Sequence, residues 1–169
     1  VPPDSVATIQ ANPKYFVALD PAAPHTWIWR VNFKNEDGAN KKVRQAMALA
    51  IDRDRMVKDL LRNTAEPAMQ FWSPGNVAYR PVPKDMTYGY DPERAKKLLA
   101  EAGYPNGIDI ELYTSDVFGG MVDMATVFAA SVAPAGIRVK LNDFNFDGTG
   151  VPFVPSKPFN PTRNRQSLF

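Results

Sequence analysis

Two runs of strict alternation bound what this chain can fold into. Ile108, Ile110 and Leu112 alternate with Asp109, Glu111 and Tyr113, and Ile137, Val139 and Leu141 alternate with Arg138, Lys140 and Asn142. A period of two is the pattern of a β-strand with one buried face. Between the two runs, Gly119-Gly120 opens onto Met121, Met124, Val127, Phe128 and Val132, apolar at helical spacing, and Pro134 to Gly136 ends that stretch. Strand, helix and strand over 108–142 predict a parallel pair joined by a right-handed crossover. The expected class is therefore α/β, a mixed sheet with flanking helices.

Upstream, Thr26 to Phe33 is rich in strand formers and reads as a central strand, with Tyr15 to Leu19 as a shorter one. After a polar turn at 35–40, Val43, Met47, Ala50 and Ile51 recur at helical spacing. Asp52 is expected to cap a second helix that buries Met56, Val57, Leu60 and Leu61 and leaves Arg53, Asp54, Lys58 and Asp59 in water. Residues 66–90 hold four prolines and two glycines without periodicity, so they predict a long irregular crossover. The clearest helix starts at Asp91 as N-cap, with Pro92 at the first helical position and Glu93 near the positive end of the dipole, and it stops at Gly103. Beyond Asp143 four more prolines predict an irregular tail, in which Phe144 and Phe146 could extend the last strand. The division expected is one folded segment over 1–142 and a Pro-rich irregular tail over 143–169.

At 169 residues, 44% hydrophobic and 22% charged, the chain has material for one core of ordinary size. Its 20 basic and 18 acidic side chains nearly balance, which argues against a polyanion surface and hence against nucleic acid as partner. The longest apolar run, Val127 to Ala135, is too short to cross a bilayer, and no charged-then-apolar leader opens at Val1; the expectation is an exported chain whose leader is gone. The absence of cysteine excludes disulfides, thiolate metal sites and thiol nucleophiles. His25 is the sole histidine, read as a loop residue, so neither a His metal cluster nor a Ser-His couple can be built; no metal and no cofactor are expected. Asp52 and Asp54 could imitate a catalytic carboxylate pair, but residues two apart on a helix face different sides, and capping is the simpler role.

Several segments, in order, resemble the family-5 extracellular solute-binding proteins of ABC importers for oligopeptides, dipeptides and nickel. They are Trp29-Arg30-Val31-Asn32-Phe33, Lys42-Val43-Arg44-Gln45-Ala46 running on to Ala50-Ile51-Asp52-Arg53, Glu66-Pro67-Ala68, and Tyr90-Asp91-Pro92-Glu93-Arg94-Ala95 continuing to Gly103-Tyr104. The resemblance covers roughly 10–142. It implies one lobe, the C-terminal one, of a two-lobed periplasmic-binding-protein type II-like fold, and a binding module rather than an enzyme. The partners implied are a peptide or other small-molecule ligand, an ABC permease in the membrane and the remaining lobe of a longer protein. The location implied is periplasmic or extracellular, with anchoring through an N-terminal segment outside this sequence as a variant.

The resemblance also turns the segment bearing Trp27, Trp29, Arg30 and Asn32 toward the ligand cleft. Arg30 would bind a ligand carboxylate, or else pair with Glu36 or Asp37; Trp27 and Trp29 would line an aromatic wall, or else pack in the core. The loop holding Tyr113, Thr114, Ser115 and Phe118 follows the C-terminal end of a strand and precedes a helix, where α/β sheets collect ligands. Its competing reading makes Ser115 or Asp116 a helix N-cap and nothing more. The alternatives to a binding module are a hydrolase acting through Asp109, Glu111 or Asp116, which needs a carboxyl with a shifted pKa, and a non-catalytic piece that meets another protein.

Overall fold

The computed structural model describes residues 2–19, 26–115, 120–143 and 167–168. Its helices are α1 (Val6–Gln10), α2 (Glu36–Ala39), α3 (Lys41–Ala50), α4 (Arg53–Arg55), α5 (Pro92–Glu101) and α6 (Met121–Val132), and its strands are β1 (Ile108–Thr114), β2 (Ile137–Asp143) and β3 (Ser167–Leu168). The chain divides into two compact units, Val1–Ile28 with Arg53–Thr87, and Trp29–Asp52 with Tyr88–Phe169.

The second unit carries the sheet, in the order β2-β1-β3. β1 and β2 run parallel in register from Ile108 opposite Ile137 to Thr114 opposite Asp143. β3 joins the other edge of β1, also parallel, at Glu111 and Leu112. In place of the mixed sheet expected, the pairings among the described residues are therefore parallel, because the crossover through α6 returns the chain in the direction in which it left. Alternation does what the sequence pattern demands: Ile108, Ile110, Leu112 and Ile137 are buried, and α6 packs over them with Met124, Ala125, Phe128 and Val132. Phe128 is only 1% exposed; burying a side chain of that size contributes roughly 1.5–3 kcal/mol. The pair opens at a close approach of two glycines. Gly107, at φ +83°, has no room for a Cβ, which would overlap the carbonyl oxygen of Gly136, and that carbonyl accepts the N–H of Ile108 at 3.0 Å.

Helices α3 and α5 pack on each other through Val43, Ala46, Met47, Leu49 and Ala50 on one side and Ala95 and Leu99 on the other. Asp91 caps α5 as its sequence predicts: its Oδ1 accepts the Arg94 N–H at 2.9 Å, with Pro92 at the first position, and the helix ends before Gly103, which adopts φ +97°. The Asp91 N–H donates in turn to the Leu49 carbonyl at 2.8 Å, joining the start of α5 to the last turn of α3.

The central strand expected at 26–33 does not form. Residues 26–30 form neither strand nor helix, Val31 makes a single bridge, and the chain then turns. Strand propensity favours an extended backbone, but a ladder needs a partner. Here Asn32 diverts the chain: its Oδ1 accepts the Lys34 N–H at 3.0 Å and its carbonyl the Asn35 N–H at 3.2 Å. Tyr15 to Leu19, likewise expected as a strand, does not form one.

In the first unit, a 3-10 turn at Pro3–Ser5 leads into α1, a helix without a signal in the proline-led opening. The helix expected after Asp52 starts as α4 but continues as a π-helix over Met56–Leu60, in which the Leu61 N–H reaches the Met56 carbonyl at 3.2 Å. Met56 is buried, whereas Val57, Leu60 and Leu61 are only half-buried. Residues 66–90 are irregular apart from a 3-10 turn at Lys84–Met86. Phe71 and Trp72 meet edge to face at 4.8 Å, about half exposed, and Thr26 Oγ1 donates to the Phe71 carbonyl at 2.8 Å.

Candidate functional site

Parallel strands present their carboxyl ends together, and in α/β sheets ligands gather there. The central strand β1 ends on Thr114 and runs into Ser115, both buried, at 5% and 6% exposure. Thr114 lies on the apolar face, and its Oγ1 is 3.5 Å from the Met121 carbonyl in the first turn of α6. The N-cap of α6 is Gly120, at φ +90°, with no side chain capping the first amides. Ser115 is thus not the cap; a left-handed glycine holds that position. Asp116 lies outside the described residues, as do Phe118 and His25.

On the opposite face, register brings Tyr113 beside Asn142 at the carboxyl end of the pair. The Tyr113 hydroxyl donates to Glu111 Oε2 at 2.7 Å. Burial first, and then this bond to a carboxylate, push the phenol up to about 12. Asn142 Nδ2 is shielded from solvent and has no hydrogen-bond partner. Further back along the same face run two cross-strand ion pairs set by register: Arg138 to Asp109, bidentate at 2.6 and 2.9 Å, and Lys140 to Glu111 at 3.3 Å. These four side chains, with Ile110 and Val139, line a surface depression of about 350 Å³. The hydrogen bond from Arg138 holds the Asp109 carboxyl below its ordinary value, and those from Tyr113 and Lys140 do the same for Glu111. A general acid needs the reverse shift.

The other candidate segment is placed less simply. Trp29 stacks on Phe128 of α6, with ring centroids 4.7 Å apart and planes tilted by 42°, so part of its surface is spent on the core. Arg30 is exposed and, among the described residues, makes no ion pair with Glu36 or Asp37. Asn32 is half-buried and occupied with its own turn. Trp27 is exposed and belongs to the other compact unit, so the strand face that would have aligned it with Trp29 does not exist. Among the described residues no group of three His, Asp or Glu side chains is gathered as a metal site, and no helix is long and apolar enough to cross a membrane.

Residues 1–164 match the sequence model of the bacterial extracellular solute-binding proteins, family 5 Middle. The chain belongs to this family. Among the relatives of this family 5 chain is the Di/tripeptide-binding protein 2 of Pseudomonas aeruginosa, 31% identical over 147 residues, which takes in 85% of the chain and 27% of the relative. The Glutathione-binding protein GsiB of Pectobacterium atrosepticum is 29% identical over 144 residues, 83% of the chain and 27% of that protein. Among solved structures, the periplasmic binding protein DppA of Helicobacter pylori, in complex with the peptide STSA, superposes with a TM-score of 0.71 at 28% identity, over 84% of this chain and 27% of that one. NikA of Staphylococcus aureus, in complex with Ni(L-His)2, gives 0.70 at 26% identity, over 85% and 30%. The family 5 chain thus spans about a quarter of the length of the curated relatives it matches, and its fold is a fragment of the two-lobed α/β binding-protein architecture.

One residue of this edge of the family 5 chain escapes a reading from sequence alone. Asn142 looks like the polar end of an alternating strand, whereas Glu111 is read from sequence only as a candidate hydrolase carboxylate and not as the partner of Tyr113 and Lys140. The signal available was the pairing of the two alternations: once both strands run parallel, Asp109 with Arg138 and Glu111 with Lys140 lock the register that puts Tyr113 next to Asn142.

Proposed function

We propose that this chain is part of the substrate-binding component of an ABC importer, which captures a peptide or similar small solute outside the cytoplasmic membrane by closing two lobes and catalyses no reaction. The observation that carries the proposal is the family match over residues 1–164, with the carboxyl edge of a parallel strand pair as the candidate ligand edge. On this reading Tyr113, Thr114, Ser115 and Phe118 contact the ligand, as do Trp29, Arg30 and Asn32, and Trp27 is a further candidate contact carried by its own unit. On the same reading residues 1–142 supply lobe structure, and 143–169 are a Pro-rich tail of which Ser167–Leu168 pairs with β1. The permease and the remaining lobe are the protein partners.

Closure needs no chemistry beyond desolvation and directed hydrogen bonds, because enclosing most of a small ligand's surface already gives affinity. Native mass spectrometry of the full-length protein purified from its host is the direct test. The expected result is a bound small solute that leaves on denaturation and is recovered unchanged. A protein that arrives empty and fails to bind any of a panel of short peptides, or that hydrolyses them, would overturn the proposal. The isolated chain should bind the same solute far more weakly than the full-length protein, since it leaves the ligand half hydrated.

A further inference from the structure

Buried polar side chains in folded proteins are nearly always hydrogen-bonded, and each exception asks for a reason. Asn142, a residue otherwise half-buried, carries such an exception in its side-chain amide nitrogen. Its Nδ2 is closed off from solvent without an acceptor, although the groups along the same face of the sheet are matched one to one: Asp109 with Arg138, Glu111 with Lys140, and the Tyr113 hydroxyl with Glu111. Among the described residues the buried side-chain donor left unmet stands at the last position of the ladder before Asp143, directly across from Tyr113. That is the carboxyl edge of parallel strands, where ligands of α/β sheets lie.

We infer that Asn142 is a ligand-recognition residue whose side-chain amide donates to an uncharged carbonyl oxygen of the bound solute, with the Tyr113 ring beside it. The inference rests on the proposed binding function and adds to it the group that reads the ligand. The class of acceptor follows from charge. Arg138 and Lys140, the cations of this face, are each engaged by a carboxylate, so the face is electrically neutral and offers a carboxylate of the solute no free counter-charge. A neutral donor in such surroundings suits a neutral acceptor such as a peptide carbonyl. An amide waiting for its acceptor weakens the empty protein, because it is desolvated without return, and favours the loaded one.

The test compares full-length wild type with Asn142→Leu, which keeps the volume and removes the donor. Calorimetric titration with tri-alanine and with its C-terminal amide is run beside thermal unfolding of the ligand-free proteins. The expected result is a loss of affinity of about tenfold or more for both peptides, with a ligand-free unfolding midpoint that is unchanged or raised. Undiminished affinity in the variant would overturn the inference while leaving the binding function intact. A lowered ligand-free midpoint would overturn it too, since the amide would then have a partner within the protein. A loss confined to the free acid would overturn the choice of a carbonyl. Wild type that binds neither peptide would instead strike at the peptide-binding reading on which the inference depends.

Discussion

The hydroxyl of Ser131, on α6, accepts the backbone N–H of Asp52 at 2.6 Å and donates to the Ala50 carbonyl at 3.1 Å, closing the end of α3. One side chain thus satisfies two backbone groups at a helix C-terminus, where carbonyls otherwise lack partners. Ser131→Ala leaves both part-buried groups unmet and should destabilise by about 1–3 kcal/mol. A urea midpoint equal to that of wild type would show that water replaces the hydroxyl without cost.

The cap on α5 is a second local test. Asp91 holds the Arg94 N–H through its side chain and the Leu49 carbonyl through its own N–H, so Asp91→Ala removes the first bond and leaves the second. Stability should fall by about 0.5–2 kcal/mol, and Asp91→Asn should recover most of it. Chemical denaturation of the three proteins side by side gives the comparison; equal losses in the two variants would contradict a capping role.

Acid should weaken the sheet through Asp109 and Glu111. Both carboxyls are depressed in the folded state, so in acid the unfolded chain takes up protons first, and the stability they contribute is present above the ordinary carboxylate range and lost as pH falls through their lower folded values. Unfolding midpoints measured downward from neutral pH should therefore drop below about pH 4. In the double variant Asp109→Asn, Glu111→Gln this acid limb should be shallower. Superimposable acid limbs would mean that the exposed pairs are too well screened to matter.

Tyr113 predicts the opposite limb. Its phenol is raised to about 12, so the stability it contributes is complete below the ordinary tyrosine value near 10 and disappears as pH climbs from there through the folded value. Phenolate absorbance in the ultraviolet, taken as wild type minus Tyr113→Phe, should show one tyrosine ionising late. A difference curve centred at the ordinary value would show that the bond to Glu111 does not persist in solution.

Which parts of this molecule could be read from sequence follows from the range of the interactions that make them. The α5 helix is decided by residues within one turn of its ends, Asp91, Pro92 and Gly103, and it forms where those residues place it. β1, α6 and β2 show in their own periodicity, because one buried face is enough to write it. The segment around Trp29 fails the same reading, since extended propensity is local but a strand partner is not, and Asn32 turns the chain first. At the candidate site, the end of β1 and the start of α6 were foreseeable from strand-then-helix order. The role of Asn142 was not, because it depends on which residue stands opposite in the sheet and on which donors are already taken.

The glycine contact at the start of the strand pair has a consequence at its other end. Gly107 and Gly136 touch where no side chain fits, and that contact acts as the pin of a zip: once it is seated, each Cα of β1 has one neighbour on β2 as far as Tyr113 and Asn142. A slip of one residue would turn the charged and apolar faces inside out, so the alignment of the candidate ligand edge is set at the far margin of the sheet. A search for specificity that sampled only the residues lining that edge would pass over the two positions that decide which of them meet.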